Sequence, residues 1–453
     1  MVRRRLSHPL VAVFGAALLT VPWLGLHSLF GIELQTGVTV ALSGIAVLGA
    51  SFLLAWGAET AEADVPRAFA LAILAVLAVA PEYAVDALYA WEAGINPGSP
   101  ESAEAASLAV ANMTGANRIL IGIGWSAIAL FTVFRARETG DEAVENRPGF
   151  LADAVRLDTG ISTEILFLFV ATMFAFFVPL GDGIGAFDMF VLVGLYVSYI
   201  LVALNSPHEH EEQIGVPAYL QSYVKPKRIA TTLSLFLFSG FVILVAVEPF
   251  AHGLEELGTA VGVPPFLMIQ WVAPLASESP ELIVVAYLVN KARSTAGFNA
   301  LISSKLNQWT LLIGTLVLVY SLSLGYYGPL PLDNHQAGEI WLTAAQSYFA
   351  IAVLISLTIS VREALVLLGL FFAQFIYAVT GAAVTLPIPV LGLVTLDGTT
   401  SLFAFAVVYM ALGTGLFIIR WRELHSVARR SIRRVRGDFT EDASEEPVAA
   451  AED

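Results

Sequence analysis

The chain has 453 residues, of which 57% are hydrophobic and only 13% charged, and its mean hydropathy is +0.75. Roughly a quarter of the residues in a soluble domain are charged, so this composition excludes an ordinary soluble protein. The net charge is −15, and the absence of cysteine excludes disulfides, thiolate metal sites and a cysteine nucleophile.

In chain order, apolar runs approaching or exceeding the roughly 20 residues that cross a bilayer core predict twelve spans. They are 9–31, 34–57, 66–91, 103–134, 162–179, 185–204, 229–251, 264–289, 298–325, 339–360, 363–383 and 400–420. None has the alternation of an outer-membrane barrel strand. A lipid-facing backbone must satisfy its own hydrogen bonds, so each span is expected to be helical. Arg3, Arg4 and Arg5 before the first run resemble a secretory signal, but the run is too long and no small-residue cleavage site follows. It reads as a helix.

Orientation follows from Lys and Arg, which favour cytoplasmic loops. Alternate connections carry Arg67; Arg135, Arg137, Arg147 and Arg156; Lys225, Lys227 and Arg228; Lys291 and Arg293; and Arg362. The connections near 32, 94–102, 180–186, 252–262, 326–338 and 384–399 carry neither. Both termini are therefore expected in the cytoplasm of a plasma-membrane protein. The linker run His208-Glu209-His210-Glu211-Glu212 reads as a solvated acidic loop, and residues 437–453 as a disordered tail. The basic stretch 420–436 is expected to touch anionic lipid and not nucleic acid.

Two stretches repeat one pattern. Pro81-Glu82 lies in the middle span of 34–134, and Pro280-Glu281 in the middle span of 229–325. Each is followed by a span opening with polar residues, which hold Asn112 and Asn117 in one case and Ser303, Ser304, Asn307 and Gln308 in the other. Placing Asn117 on Asn307 brings Gly124 onto Gly314 without a gap. Five spans separate the two starts, and an odd number reverses insertion, so the repeats are inverted. Inverted repeats around a midplane site are an architecture for alternating access. A carboxylate at membrane depth costs roughly 2.5–3.5 kcal/mol on insertion scales and is by default functional. Proline lacks an amide donor and frees a backbone carbonyl one turn earlier. Carbonyl and carboxylate oxygens together are hard ligands suited to Na⁺ or Ca²⁺.

These motifs resemble those of the cation/calcium exchanger superfamily, over roughly 34–383. Pro81-Glu82 and Pro280-Glu281 match its Pro-Glu pair, Gly115 and Asn117 match parts of its second motif, and Ser277 falls where the family has Thr. The resemblance implies an all-α polytopic membrane protein with two inverted five-helix repeats and an extra helix at each end. The expected divisions are 1–33 (extra helix), 34–204 (first repeat), 205–228 (linker), 229–383 (second repeat), 384–421 (extra helix) and 422–453 (tail). It also implies Glu82, Glu281, Asn117, Asn307, Ser277 and Glu278 as ion ligands. The departures are Ala78 and Val79 at the Thr-Ser position, Glu278 at a Ser position, and Leu120 at a later ligand position that Asn307 or Gln308 takes in the second repeat.

Arg118 and Lys305 bring positive charges beside this site. They are either tethered cations replacing a bound ion or partners that neutralise Glu82 and Glu281. Asp86, one turn after Glu82, is expected in the access path or near the outer surface. Asn112, Ser303, Ser304 and Gln308 are further candidates for the path, or residues that join helices. Glu59, Glu62 and Glu248 read as interfacial. No Walker A motif is present, so an ion gradient and not ATP is expected to drive any transport. The expected function is therefore antiport of Ca²⁺ (or Na⁺) against Na⁺ or H⁺, with no enzymatic activity and no cofactor. The expected partners are the lipid bilayer and small cations, and the oligomeric state is left open. The alternatives are a sodium/proton or other cation/proton antiporter, or a non-transporting scaffold or sensor with an exchanger fold.

Overall fold

The structure is a computed structural model that describes residues 8–64, 79–205, 214–381, 384–388, 392–396 and 398–436. The three opening arginines, the start of the third span with Arg67 and Ala78, the His208–Glu212 run and the acidic tail lie outside these residues.

The main helices are α1 (Pro9–His27), α2 (Thr36–Ala61), α3 (Ala80–Ile95), α4 (Pro100–Ala136), α5 (Thr159–Leu180), α6 (Ala186–Asn205), α7 (Lys225–Val261), α8 (Pro265–Val289), α9 (Ser294–Leu324), α10 (Asn334–Leu354), α11 (Val361–Thr380), α12 (Gly398–Ile419) and α13 (Trp421–Val435), with a short helix at Val216–Gln221 before α7. Among the described residues, ten are long and apolar enough to cross a membrane. The other two expected spans correspond to α3 and α10. Only the later part of the third span is described. α10 is 21 residues long but carries Gln336, Glu339 and Gln346. It is buried along nearly its whole length, mainly between α5, α4 and α12, so it does not need an apolar lipid face.

Local chemistry sets the helix limits. Asp333 and Gln336 form a reciprocal capping box that opens α10, and Ser360 and Glu363 do the same for α11. Gly262 and Gly325 close α7 and α9 in the left-handed conformation, which has no Cβ penalty for glycine. α7 has 37 residues, about 55 Å at 1.5 Å per residue, and exceeds the roughly 30 Å hydrocarbon core. The connection expected at 252–262 is consequently the last turns of this helix. His252 there contacts Glu92 at 2.9 Å and Glu255 at 3.1 Å, and Tyr89 donates to Glu255 at 2.6 Å. A hairpin of β1 (Val384–Ile388) and β2 (Gly392–Leu396) occupies the expected loop before α12. The basic stretch after residue 420 folds as α13. It docks on α5, with Val427 buried and Ser431 donating to the Ser162 carbonyl at 2.7 Å.

α2 packs along α7, α3 lies between α4 and α9, and α4 meets both α8 and α10. Small residues permit these approaches. A Cβ on Gly115 of α4 would stand 1.8 Å from the Gln270 carbonyl oxygen of α8, so only glycine fits. Beyond the end of α2, Asp64 takes a bidentate pair from Arg228 at the start of α7, with both contacts at 2.6 Å. The Arg228 hydrogen bond holds the Asp64 carboxyl below its ordinary value. A lowered pKa adds stability above the ordinary carboxyl range near ~4, and that stability is lost as pH falls through the lowered value. Asp64→Asn should therefore destabilise the protein by about 1 kcal/mol at neutral pH, because the pair borders solvent. The difference from wild type should vanish in acid. Melting curves of both proteins across pH check this.

Candidate ion-binding site

Glu82 sits in the first turn of the described part of α3, where Pro81 supplies a helix-ready backbone. Pro81 thus opens the described helix and does not kink its middle. The N-terminal end of a helix favours negative charge. Pro280, by contrast, lies inside α8 and offers no amide to the Ala276 carbonyl one turn earlier, as its sequence position predicts. Backbone irregularity also appears where the Pro-Glu motif does not reach. Wide π-helical turns occupy Leu120–Trp125 in α4, Met268–Val272 in α8 and Gln308–Leu312 in α9. In α9 the turn begins directly after Asn307, and in α4 two residues after Arg118. Such turns are frequent at functional sites.

Three carboxylates face one another between α3 and α8. Glu82 lies within electrostatic reach of Glu281 and Asp86, and Glu278 within reach of Glu82 and Glu281. Glu82 and Glu278 are buried, whereas Glu281 is partly exposed. The Ser277 hydroxyl faces Glu82 and is 3.3 Å from the carbonyls of Ala273 and Pro274. Ser304 donates to Glu281 at 3.0 Å, and the Gln308 amide donates to one oxygen of Glu278 at 2.6 Å. The second Glu278 oxygen and the Gln308 amide oxygen are buried without a partner. Asp86 and Asn112 repeat this arrangement between α3 and α4. Asn112 donates to one Asp86 oxygen at 2.9 Å, and the other Asp86 oxygen and the Asn112 amide oxygen are left without a donor. Ser303 stands apart, beside Tyr199 of α6.

The pairing of Glu82 and Glu281 with Arg118 and Lys305, one of the two roles open to these cations, does not form. Among the described residues, no Lys, Arg or His ion pair reaches Glu82, Glu278 or Glu281. Arg118 turns away and forms a buried ion pair with Glu339 of α10, its guanidinium 4.8 Å from the centre of the Trp271 ring. The Lys305 nitrogen hydrogen-bonds to the Asn117 side-chain oxygen at 2.7 Å and lies 4.2 Å over the Trp309 ring. In the opposite sense, Tyr83 donates to the Asn307 side-chain oxygen at 3.1 Å. Asn117 also donates to the Met113 carbonyl at 2.8 Å.

Sequence reasoning missed Tyr83, Glu339 and Gln270, whose side chain is fully buried in the π turn of α8 with no partner. Each was visible as a polar group in or beside an apolar run. Only the fold reveals that Tyr83 reaches Asn307 and that Glu339 takes Arg118. Among the described residues, no three His, Asp or Glu side chains are already closed into a cation cage. A cation here would have to draw the carboxylates together.

A family model described as "Sodium/calcium exchanger protein" matches residues 36–205 and 231–381. Among solved structures, the chain is similar to the H⁺/Ca²⁺ exchanger CAX, with 42% identity over 94% of this chain and 98% of that one and a TM-score of 0.82. It shares a fold with YfkE, described as a Ca²⁺/H⁺ antiporter, at 15% identity over 81% of this chain and 98% of that one, with a TM-score of 0.54. A comparison with curated proteins gave no match.

Proposed function

Because this chain belongs to the sodium/calcium exchanger family, we propose that it is a cation/calcium antiporter that exchanges Ca²⁺ for H⁺ by alternating access. One observation carries this reading. Glu82, Glu278 and Glu281 gather between α3 and α8 with no fixed cation paired to them among the described residues. Uncompensated buried charges cost several kcal/mol each, so these carboxylates need a counter-charge that comes and goes. Ca²⁺ supplies it when bound, and protons supply it when the site is free of Ca²⁺. The same oxygens cannot hold both at once, so release of one is coupled to uptake of the other. Ca²⁺ prefers 6–8 oxygens. The carboxylates, the unpartnered amide oxygen of Gln308, the hydroxyls of Ser277 and Ser304 and the carbonyl of Ala276 offer such a set. The similarity to an H⁺/Ca²⁺ exchanger at 42% identity supports H⁺ as the coupling ion.

Proteoliposomes test this. Ca²⁺ uptake should follow an outward H⁺ gradient and ignore an outward Na⁺ gradient of equal size. Uptake under neither gradient would overturn the reading. In detergent, Ca²⁺ at a hundred times its Kd should stabilise the protein by about 2.7 kcal/mol through mass action, read as a rise in melting temperature over a Mg²⁺ control.

A further inference from the structure

The two halves of the site differ at one repeat-equivalent position. The register that superimposes Asn117 on Asn307 places Gly115 opposite Lys305. Gly115 is closed by backbone, because a Cβ there would meet the Gln270 carbonyl oxygen at 1.8 Å. Lys305 is fully buried, and its side chain crosses from the second repeat to the first to end on the Asn117 oxygen at 2.7 Å. The nitrogen lies over the Trp309 ring, with Arg118 and Glu278 the charged groups within electrostatic reach. Arg118 is committed to Glu339.

Tyr83 makes the opposite crossing, from the first repeat to Asn307 at 3.1 Å. The two crossings differ chemically. A hydroxyl donates or accepts, so Tyr83 can turn its proton away and offer oxygen to a cation beside Asn307. The Lys305 nitrogen, charged or neutral, spends an N–H on the Asn117 oxygen at 2.7 Å, the same oxygen that a cation beside Asn117 would need.

Resting on the exchanger reading above, we infer that Lys305 is a specificity-determining residue. Its side-chain nitrogen occupies the Asn117 oxygen, closes this half of the site to a monovalent cation such as Na⁺, and leaves one exchangeable site on the Glu82–Glu278–Glu281 side. Lys305 thus confines the protein to Ca²⁺ and protons.

The test compares wild type with Lys305→Ala and Lys305→Ser in NaCl and in choline chloride at equal ionic strength. Melting temperature, equilibrium ²²Na⁺ binding and Na⁺-gradient-driven Ca²⁺ uptake are measured. Wild type should show no Na⁺-specific stabilisation and no bound Na⁺. Both variants should melt higher in NaCl than in choline chloride and retain ²²Na⁺ that wild type does not. Na⁺ binding by wild type overturns the inference, and that measurement holds whether or not a variant folds. Variants that still respond to Ca²⁺ but ignore Na⁺ overturn it as well. Loss of the Ca²⁺ response in wild type itself would instead remove the exchanger reading, and this inference with it.

Discussion

Glu82→Gln and Glu281→Gln are each expected to reduce H⁺-driven Ca²⁺ uptake to the background of empty vesicles. Glutamine keeps the shape of the side chain and one oxygen but removes the charge that Ca²⁺ must meet. Leaving a desolvated ion without its partner costs 3 kcal/mol or more, which is about a hundredfold or more in affinity. Glu82 has the stronger claim, since it is buried at the positive end of α3 and faces Glu278, Glu281 and Ser277. A structural role predicts something different, namely lower stability in both variants. The present reading predicts that, without Ca²⁺, both melt at or above the wild-type temperature, because Gln is neutral without taking up the proton that Glu needs there. Both should also lose Ca²⁺-dependent stabilisation. Variants that unfold at low temperature yet still transport would refute these roles.

Arg118→Met is expected to produce the largest loss of stability. It leaves Glu339 as a buried carboxylate whose remaining basic neighbour is His335, at 3.7 Å. Breaking one side of a buried pair typically costs 3–5 kcal/mol, whereas replacing both partners with apolar residues of similar volume is often neutral. Arg118→Met with Glu339→Leu should therefore recover most of the melting temperature lost in the single variant. If the double variant is no better, the stability comes from the Arg118 guanidinium on the Trp271 ring and not from the ion pair. Ca²⁺ binding by the double variant should persist, because Arg118 has no ion pair with Glu82, Glu278 or Glu281.

The partly buried pairs show how far sequence reasoning reaches. Asp86 with Asn112 and Glu278 with Gln308 are hydrogen-bonded pairs whose members are only 26 and 30 residues apart. All four were legible as polar groups within apolar helices, and helix periodicity put Asp86 on the face of Glu82 and Glu278 on that of Glu281. The pairs that divide the positive charges are more distant. Arg118 meets Glu339 across 221 residues, and Lys305 meets Asn117 across 188. Proximity in the motif suggested that these cations neutralise the Pro-Glu carboxylates, and the fold assigns them elsewhere.

Read along the chain alone, the residues show that it is helical and membrane-embedded, that its halves repeat, and that two Pro-Glu pairs and two asparagines lie at matching places. These follow from short-range physics. Apolar runs must be helical in lipid, a buried carboxylate needs a reason, and a repeat is read from register alone. The tertiary structure alone decided that Arg118 belongs to Glu339, that Lys305 and Tyr83 cross between the repeats in opposite directions, and that α7 continues through its expected outer loop. Each depends on which helix faces reach one another across 160 residues or more of chain. A buried donor takes whichever acceptor the packing brings within 3 Å, and no local pattern encodes that choice.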